Sequence, residues 1–249
     1  MAKKDYKLKI FCDFDGTVAK NDVWVSAIGK FVKDKEAFDK LSDDFCSLTL
    51  NAKDCNRMSL ELVEDFTLEQ FDRYLDEEDI DPHFKDFVEY VRSEEDEIFI
   101  VSGGLDYYID YVLKKEGLDV KYFGTQLTTT PIEGTDYIKP GVEFPYADEN
   151  CEKCEISKRN ILINNTNDLY DEVSVFVGDG ISDYCVVHYA DIVFAKKRLA
   201  SYCWKNNITY FEFDDFSDVK KKLVKLKMEN KIKHRQFAKT NRKDVLLGG

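Results

Sequence analysis

The sequence has few residues that break regular structure and no apolar run long enough to cross a membrane. Its 249 residues include only 4 prolines and 12 glycines, whereas hydrophobic residues make up 43% and aromatic residues 14%. A chain with this many apolar side chains can bury a core, which argues against wholesale disorder. No run approaches the roughly 18 apolar residues that indicate a membrane span, and the first residues lack a signal-peptide pattern. We therefore expect a cytoplasmic protein with no membrane contact.

Basic residues are outnumbered, and they are concentrated in one segment. The chain has 36 Lys and Arg against 49 Asp and Glu, a net charge of −13. Because such a chain repels phosphate backbones, we expect no nucleic-acid partner. Residues 218–244 are the exception, with eleven basic and three acidic residues. We interpret the basic tail 220–243 as a solvated amphipathic helix that frays towards its end, and contact with an anionic partner is the alternative. The sequence carries no signal for an oligomeric state.

The cysteines and histidines do not form a recognisable site. Seven cysteines are an odd number, and we expect reduced thiols and no disulfide framework. Cys151 and Cys154 have the spacing of half a zinc site, but no second Cys or His pair follows at a suitable distance. Inert thiols are the main interpretation, and structural zinc or a redox dithiol are the alternatives. No Ser-His-Asp or Cys-His arrangement is visible among the isolated histidines.

Strands alternate with helices along most of the chain, which predicts an α/β fold with a doubly wound, mainly parallel, Rossmann-like sheet. Apolar residues at helical spacing over 21–81 predict several short helices. We expect 21–81 to form a small helical cap domain inserted after the first strand, and 1–20 with 82–249 to form a discontinuous core domain. The strands are predicted at 8–12, 97–101, 120–124, 173–177 and 192–194, the helices at 84–92, 104–115, 154–164, 181–189 and from near 216, and a hairpin or loop at 128–150.

Carboxylates follow two of the predicted strands. Asp13 and Asp15 lie two residues apart on an extended segment, so both side chains point the same way. Asp179 and Asp183 are four residues apart, on the same side of a first helical turn. Four carboxylates at one sheet edge would repel each other unless a cation were bound, and their oxygens suit Mg²⁺. Asp13 and Asp15 could also act as nucleophile and general acid/base. The alternative role is an Asx-type turn for the first pair and helix capping for the second pair.

Two further features could hold an anion. Ser102 and the glycines at 103 and 104 follow a predicted strand, where a hydroxyl and close backbone N–H groups meet a helix N-terminus. An ordinary serine N-cap is the alternative. Lys158 lies on the predicted helix before the strand at 173–177 and could supply a cation for phosphate, unless it belongs to a solvated helix face.

These stretches, in this order, resemble the motifs of the haloacid dehalogenase-like (HAD) superfamily of phosphotransferring hydrolases. The resemblance covers roughly residues 7–195, and the motifs are DFDGT at 13–17, VSGG at 101–104, Lys158 and GDGISD at 178–183. A cap directly after the first motif is similar to that of phosphoserine phosphatases. The strings FCDFDGT, FIVSGG and Cys-x-x-Cys before Lys158 resemble the branch with the 2-hydroxy-3-keto-5-methylthiopentenyl-1-phosphate phosphatases and the phosphoethanolamine/phosphocholine phosphatases.

The resemblance implies a role for each matching residue. Asp13 would attack phosphorus and become a phosphoaspartate, and Asp15 would protonate the leaving alcohol and then activate water. The phosphoryl oxygens would be held by Ser102, the Gly103 amide and Lys158. Lys153 is the alternative lysine, because in these relatives the lysine follows the second cysteine more closely than Lys158 does. Mg²⁺ would be bound by Asp13, the Asp15 carbonyl and Asp179, with Asp183 in or next to the metal shell.

The implied activity is Mg²⁺-dependent hydrolysis of a small phosphorylated metabolite. Asp15 favours a phosphatase over a dehalogenase, because an alkoxide leaving group needs a proton and a halide does not. Asp22 lies nine residues after Asp13, where phosphoserine phosphatases place an acid facing the substrate amine, and a helix N-cap is its alternative role. Two other functions stay open: a phosphotransferase or mutase with an acceptor other than water, and a non-catalytic metal- or phosphate-binding module.

Overall fold

The computed structural model describes residues 6–149 and 154–247. The half-site interpretation depends on Cys151 and the alternative phosphate-binding lysine is Lys153, and both residues lie outside the described residues. Cys154 is described and is half-buried. Among the described residues, no helix combines the length and apolar character that a membrane span requires.

Seven strands form one sheet in the order β4-β3-β2-β1-β5-β6-β7. Strand β1 pairs in parallel with β2 and β5, and β6 is parallel to β5 and β7, whereas β3 and β4 form an antiparallel pair. The predicted doubly wound, mainly parallel α/β fold is therefore confirmed. The strands are β1 (Lys7–Cys12), β2 (Glu97–Leu105), β3 (Lys121–Pro131), β4 (Ile138–Glu143), β5 (Glu172–Gly178), β6 (Ile192–Ala195) and β7 (Phe211–Glu212).

Ten α-helices connect or flank these strands in the described part of the chain. They are α1 (Val23–Ser26), α2 (Lys35–Cys46), α3 (Ala52–Glu61), α4 (Leu68–Leu75), α5 (Phe84–Ser93), α6 (Asp106–Lys115), α7 (Lys158–Asn164), α8 (Lys197–Lys205), α9 (Phe216–Met228) and α10 (Gln236–Leu246). The short helices expected over 21–81 are thereby confirmed as α1 to α4.

The described chain divides into two compact units. The first contains the residues up to Val18, Ile80–Val101 and those from Lys158 onwards, and the second contains Ala19–Asp79 and Ser102–Ser157. Strand β2 passes from the first unit into the second. The second unit thus holds residues 21–79 of the expected cap 21–81, together with the segment Ser102–Ser157, which the sequence had assigned to the core. The boundaries of functional domains stay a prediction.

In the first unit, apolar strands form a buried layer. Five of the six residues of β1 are buried, as are six of the seven residues of β5, because parallel strands are covered on both faces. Helices α5 and α9 pack through aromatic rings, with the Phe84 and Phe216 centroids 4.7 Å apart. The first unit therefore has a core of its own.

In the second unit, short helices are defined by their caps and by one aromatic cluster. Side chains of Asp34, Asn51 and Thr67 each accept a hydrogen bond from a backbone N–H in the first turn of α2, α3 and α4. The Phe31 ring meets Phe66 at 4.7 Å between centroids, and three further ring pairs extend the cluster. Capping and aromatic packing thus stabilise helices that are too short to be stable alone.

Several predicted elements have different bounds or types in the structure. Helix α6 begins at Asp106 and not at 104, because β2 continues to Leu105. The helix predicted over 181–189 is two short 3₁₀ turns, Ile181–Asp183 and Val186–His188. The helix predicted over 154–164 begins only at Lys158. The basic tail does not fray as expected: α10 is a further helix in which Ala238 and Arg242 are buried.

Candidate active site

The turn after β1 presents Asp13 at the carboxyl end of the parallel strands of the first unit. Its backbone N–H donates to the Val177 carbonyl of β5 at 2.9 Å, and the residue is only 4% exposed. Gly16 allows the chain to turn, with a φ of +70°. A Cβ at this position would lie 2.7 Å from Asp179 Oδ2, so both the backbone conformation and the close approach require glycine. Asp15, in the same turn, is half-buried.

Asp179 and Asp183 are brought to this edge by the end of β5. Asp183 is fully buried, and its Oδ2 accepts hydrogen bonds from the N–H groups of Asp179 and Gly180, each at 3.1 Å. These bonds close the loop after the strand. A Cβ on Gly178 would lie 2.3 Å from Asp183 Oδ2, so a residue without a side chain is needed where the strand ends.

Lys158, the first residue of α7, connects the two acidic segments. Its Nζ lies 2.6 Å from Asp13 Oδ1 and 2.7 Å from Asp183 Oδ1, and it also contacts Ser182 Oγ at 3.1 Å. The Lys158 side chain is 0% exposed. A lysine on a solvated helix face would be exposed, so that alternative is wrong for Lys158.

Burial and charge act in opposite directions on these groups. Burial raises the pKa of Asp13 well above its usual value, the nearby Asp183 raises it further, and Lys158 opposes both. Burial also raises the pKa of Asp183, against the effect of Lys158. Burial would lower the pKa of Lys158, but the two carboxylates outweigh it and raise that pKa. The ammonium group therefore stays charged between two buried carboxyl groups.

A set of oxygen donors suitable for a hard cation exists at this edge. Asp13, Asp179 and Asp183 each offer a carboxylate oxygen, and these atoms lie within 4.8 Å of one another. When ionised, the three carboxylates exceed the two lysines that contact them, Lys158 and Lys197, by one negative charge, which a divalent cation would offset. Hard carboxylate ligands of this kind fit Mg²⁺, which prefers oxygen and keeps several waters.

The second unit contains Ser102 and Gly103, at the end of β2. Ser102 is fully buried, and its Oγ accepts a hydrogen bond from the Gly104 N–H at 3.0 Å. A Cβ on Gly103 would lie 1.7 Å from Glu155 Oε1, and one on Gly104 would lie 1.8 Å from the Tyr108 hydroxyl oxygen. The side chains of Glu155 and Tyr108 therefore occupy the space that a Cβ would need, so positions 103 and 104 of β2 require glycine.

Asp22 is in the second unit and caps a helix. Its carboxylate accepts a hydrogen bond from the Val25 N–H at 3.2 Å and begins α1. The N-cap role considered from the sequence is therefore present. A substrate contact by Asp22 stays a prediction.

The structure adds residues that the sequence analysis missed. Lys197 Nζ lies 2.8 Å from Asp179 Oδ2 and 3.4 Å from the Gly16 carbonyl oxygen. Lys196 precedes it, and burial together with Lys197 lowers the pKa of Lys196. The sequence does contain a signal for these two residues, because both lysines directly follow the predicted strand β6. The carboxyl end of β6 lies at the same sheet edge as that of β5. The third residue that the sequence analysis missed is Ser182 in the GDGISD stretch, whose Oγ lies 3.1 Å from Lys158 Nζ.

Comparison with known proteins shows the family. Residues 10–188 match the haloacid dehalogenase-like hydrolases. The chain belongs to this family. A 2-hydroxy-3-keto-5-methylthiopentenyl-1-phosphate phosphatase from Bacillus cereus is 27% identical to it over 225 residues, which cover 88% of this chain and 97% of the relative. One of the same name from Bacillus anthracis is 28% identical with the same coverage. The predicted class, a HAD-like phosphatase, is therefore confirmed.

Solved structures share the fold. The structure of a phospho-aspartyl intermediate analogue of phosphoserine phosphatase aligns with a TM-score of 0.64 and 23% identity, covering 88% of this chain and 99% of that one. A phosphoserine phosphatase from T. onnurineus aligns with a TM-score of 0.61 and 16% identity, covering 93% and 97%. At these identities the likeness shows the fold alone.

Proposed function

We propose that this hydrolase is a Mg²⁺-dependent phosphomonoesterase that acts on a small phosphorylated metabolite through a phosphoaspartate. The observation that carries the proposal is the buried cluster in which Lys158 joins Asp13 and Asp183, with Asp179 within reach of both acids. Such a cluster combines a nucleophile, a fixed positive charge and oxygen ligands. These are the groups that phosphoryl transfer through a covalent intermediate requires.

Asp13 is the proposed nucleophile. Its carboxylate is buried, so water solvates it poorly, while Lys158 at 2.6 Å favours the ionised form that attack on phosphorus needs. Attack forms a bond between an Asp13 oxygen and phosphorus and breaks the bond to the leaving alcohol. The same lysine then offsets negative charge on the transferring group.

Asp15 is the proposed general acid and base. It lies two residues after the nucleophile, and it is half-buried whereas Asp13 is almost fully buried. In the first step it would give a proton to the leaving alkoxide. In the second it would take a proton from the water that hydrolyses the phosphoaspartate, so both steps use one carboxyl group.

Asp13, Asp179 and the Asp15 carbonyl would hold Mg²⁺, with Asp183 in or next to its shell. The donor set supports this assignment, because the three carboxylates are buried or nearly so and, when ionised, they exceed the charge of Lys158 and Lys197 by one negative charge. When bound, the ion neutralises charge on the phosphate and orients it for in-line attack.

Ser102 and the Gly103 amide are proposed to bind phosphoryl oxygens with Lys158. This proposal is supported by the buried hydroxyl of Ser102, which two glycines follow near the end of β2. The proposed substrate class is inferred from the relatives. They are named for a methylthiopentenyl phosphate ester, and the chain matches them over nearly their full length. A small metabolite phosphate is therefore the proposed substrate.

The test is phosphate release from a panel of small phosphate esters, with Mg²⁺ and with EDTA. We expect turnover that needs Mg²⁺ and that Asp13→Asn abolishes. Asp136→Asn is the matched control, because Asp136 is exposed in the second unit and outside the cluster. Phosphate appearing on an added alcohol would instead indicate a phosphotransferase. Binding of phosphate without turnover of any ester would indicate a non-catalytic module and would contradict the proposal.

A further inference from the structure

A cleft of about 850 Å³ lies in the first unit, away from the cluster around Asp13. It is bounded by the end of α7, the loop before β5 and helix α10. Its wall includes Lys9 and Glu172, which lie near the amino ends of β1 and β5. The candidate active site lies instead at the carboxyl ends of these strands. We call it the amino-edge cleft. It has the volume of a small-molecule site.

The cleft has an excess of positive charge in a chain whose net charge is −13. Lys9 Nζ lies 2.7 Å from Glu97 and 3.4 Å from Glu172, so its charge is balanced. Lys239 and Lys243 also line the cleft. They differ from Lys9, because neither side chain has an ion pair or hydrogen bond within residues 6–149 and 154–247. These two ammonium groups are therefore available to an anion.

The two lysines are presented by a helix that is anchored firmly. Arg242, between them in sequence, is 1% exposed. Its guanidinium donates to Asp168 at 2.6 Å and to both oxygens of Asp191 at 3.1 Å. Because this buried ion pair fixes α10, the side chains four residues apart face the cleft from one side of the helix. An anion would not have to order the helix on binding.

The rest of the wall offers a hydrogen-bonding group and apolar surface. Thr166 Oγ1 is buried, and it has no hydrogen-bond partner in the described part of the chain. An unpaired buried hydroxyl is costly unless a ligand or water satisfies it. Leu169 and Leu246 border the cleft and are 90% and 68% exposed. The wall therefore combines two cations, one hydroxyl and an apolar rim.

We propose that the amino-edge cleft binds a small organic anion whose phosphate, or equivalent dianionic group, contacts Lys239, Lys243 and Thr166. The apolar part of such a ligand would cover Leu169 and Leu246. A metal ion in the adjacent group of Asp168, Asp191 and His234 is disfavoured, because Arg242 already places a cation between the two carboxylates. The proposal does not depend on the phosphatase reaction.

The test uses inorganic pyrophosphate as the probe, titrated into the full chain in EDTA and followed by amide chemical shifts. We expect saturable shifts in residues 163–169 and 236–246. The variant Lys239→Gln/Lys243→Gln should weaken this binding at least tenfold, and Thr166→Val should weaken it severalfold without a change of charge. The matched control is Lys221→Gln/Lys225→Gln on α9, with the same spacing and charge change, but with each lysine near an acid.

Two results would overturn the proposal. One is the absence of saturable shifts in these two segments at millimolar pyrophosphate, even if residues near Asp13 respond. The other is an equal loss of affinity in both lysine pairs, which would mean general charge screening. Circular dichroism of each variant checks its folding, and Thr166→Val keeps the test valid should the double variant unfold.

Discussion

Replacing the buried lysine tests the electrostatics of the cluster directly. In Lys158→Met, Asp13 and Asp183 would keep their buried positions and lose the ammonium that lies 2.6 and 2.7 Å from them. Removing one partner of a buried ion pair costs about 3–5 kcal/mol. In a chain of this length, each kcal/mol lowers Tm by about 2–4 °C, so we expect a fall of about 6–20 °C.

The pH dependence of this loss has a definite sign. Without Lys158, burial and mutual repulsion would raise the pKa values of Asp13 and Asp183 further above their unfolded values. A carboxyl group with a raised pKa destabilises the fold at pH values above that pKa, and the penalty disappears as the group becomes protonated. The deficit of Lys158→Met relative to the unmodified chain should therefore be largest at alkaline pH and should shrink as the pH falls.

Urea unfolding in EDTA at mildly alkaline and mildly acidic pH measures both effects. Lys85→Met is the control, because Lys85 is exposed on α5 and its replacement should change stability by less than about 0.5 kcal/mol. Adding Asp183→Asn to Lys158→Met should recover part of the stability, since it removes one unpaired charge. A Lys158→Met deficit no larger than that of the control, or one that does not change with pH, would refute the reasoning.

Three further changes have expected outcomes. Gly178→Ala should displace the Asp183 carboxylate, because its Oδ2 would lie 2.3 Å from the new Cβ, and turnover should fall at least tenfold. Gly180→Ala is the control, because its Cβ would meet open space and turnover should not fall. Equal rates of the two variants in steady-state assays would contradict this prediction. Asp15→Asn should slow alkyl phosphates about 10²–10⁴-fold and activated aryl phosphates much less; equal losses would exclude Asp15 as the acid. Arg242→Met should destabilise the chain by about 3–5 kcal/mol in urea unfolding, because Asp168 and Asp191 lose their cation, and unchanged stability would contradict that.

The fold and the acidic part of the cluster could be predicted because their signals are local. An apolar run followed by Asp-Phe-Asp-Gly-Thr identifies a buried strand and the turn after it, and parallel strands bring such ends to one edge. Asp13, Asp179 and Asp183 are brought together for that reason. Lys158 was predicted on the helix before β5, and it lies on that helix, although the helix begins at Lys158 and not at residue 154.

Other features depend on partners far away in the sequence, which a pattern of neighbours does not reveal. Arg242 is buried because Asp168, 74 residues earlier, accepts its hydrogen bonds, so a tail expected to fray is a docked helix. Strand β4 contains Pro140 and Gly141, which normally interrupt strands, and it is tolerated because β4 lies at the sheet edge. The turns at 181–188 replace a helix partly because Asp183 binds two backbone N–H groups.

The most direct test of the covalent mechanism is to trap the intermediate. The chain would be mixed with ³²P-labelled p-nitrophenyl phosphate and Mg²⁺ and quenched in acid within one turnover. The label would be located in one portion of the protein, and a second portion would be reduced with borohydride, which releases the phosphate, and digested. We predict that the label enters the protein and that reduction converts residue 13 to homoserine, with neither signal in Asp13→Asn. Turnover with no labelled protein, or a label on a residue other than Asp13, would contradict the account.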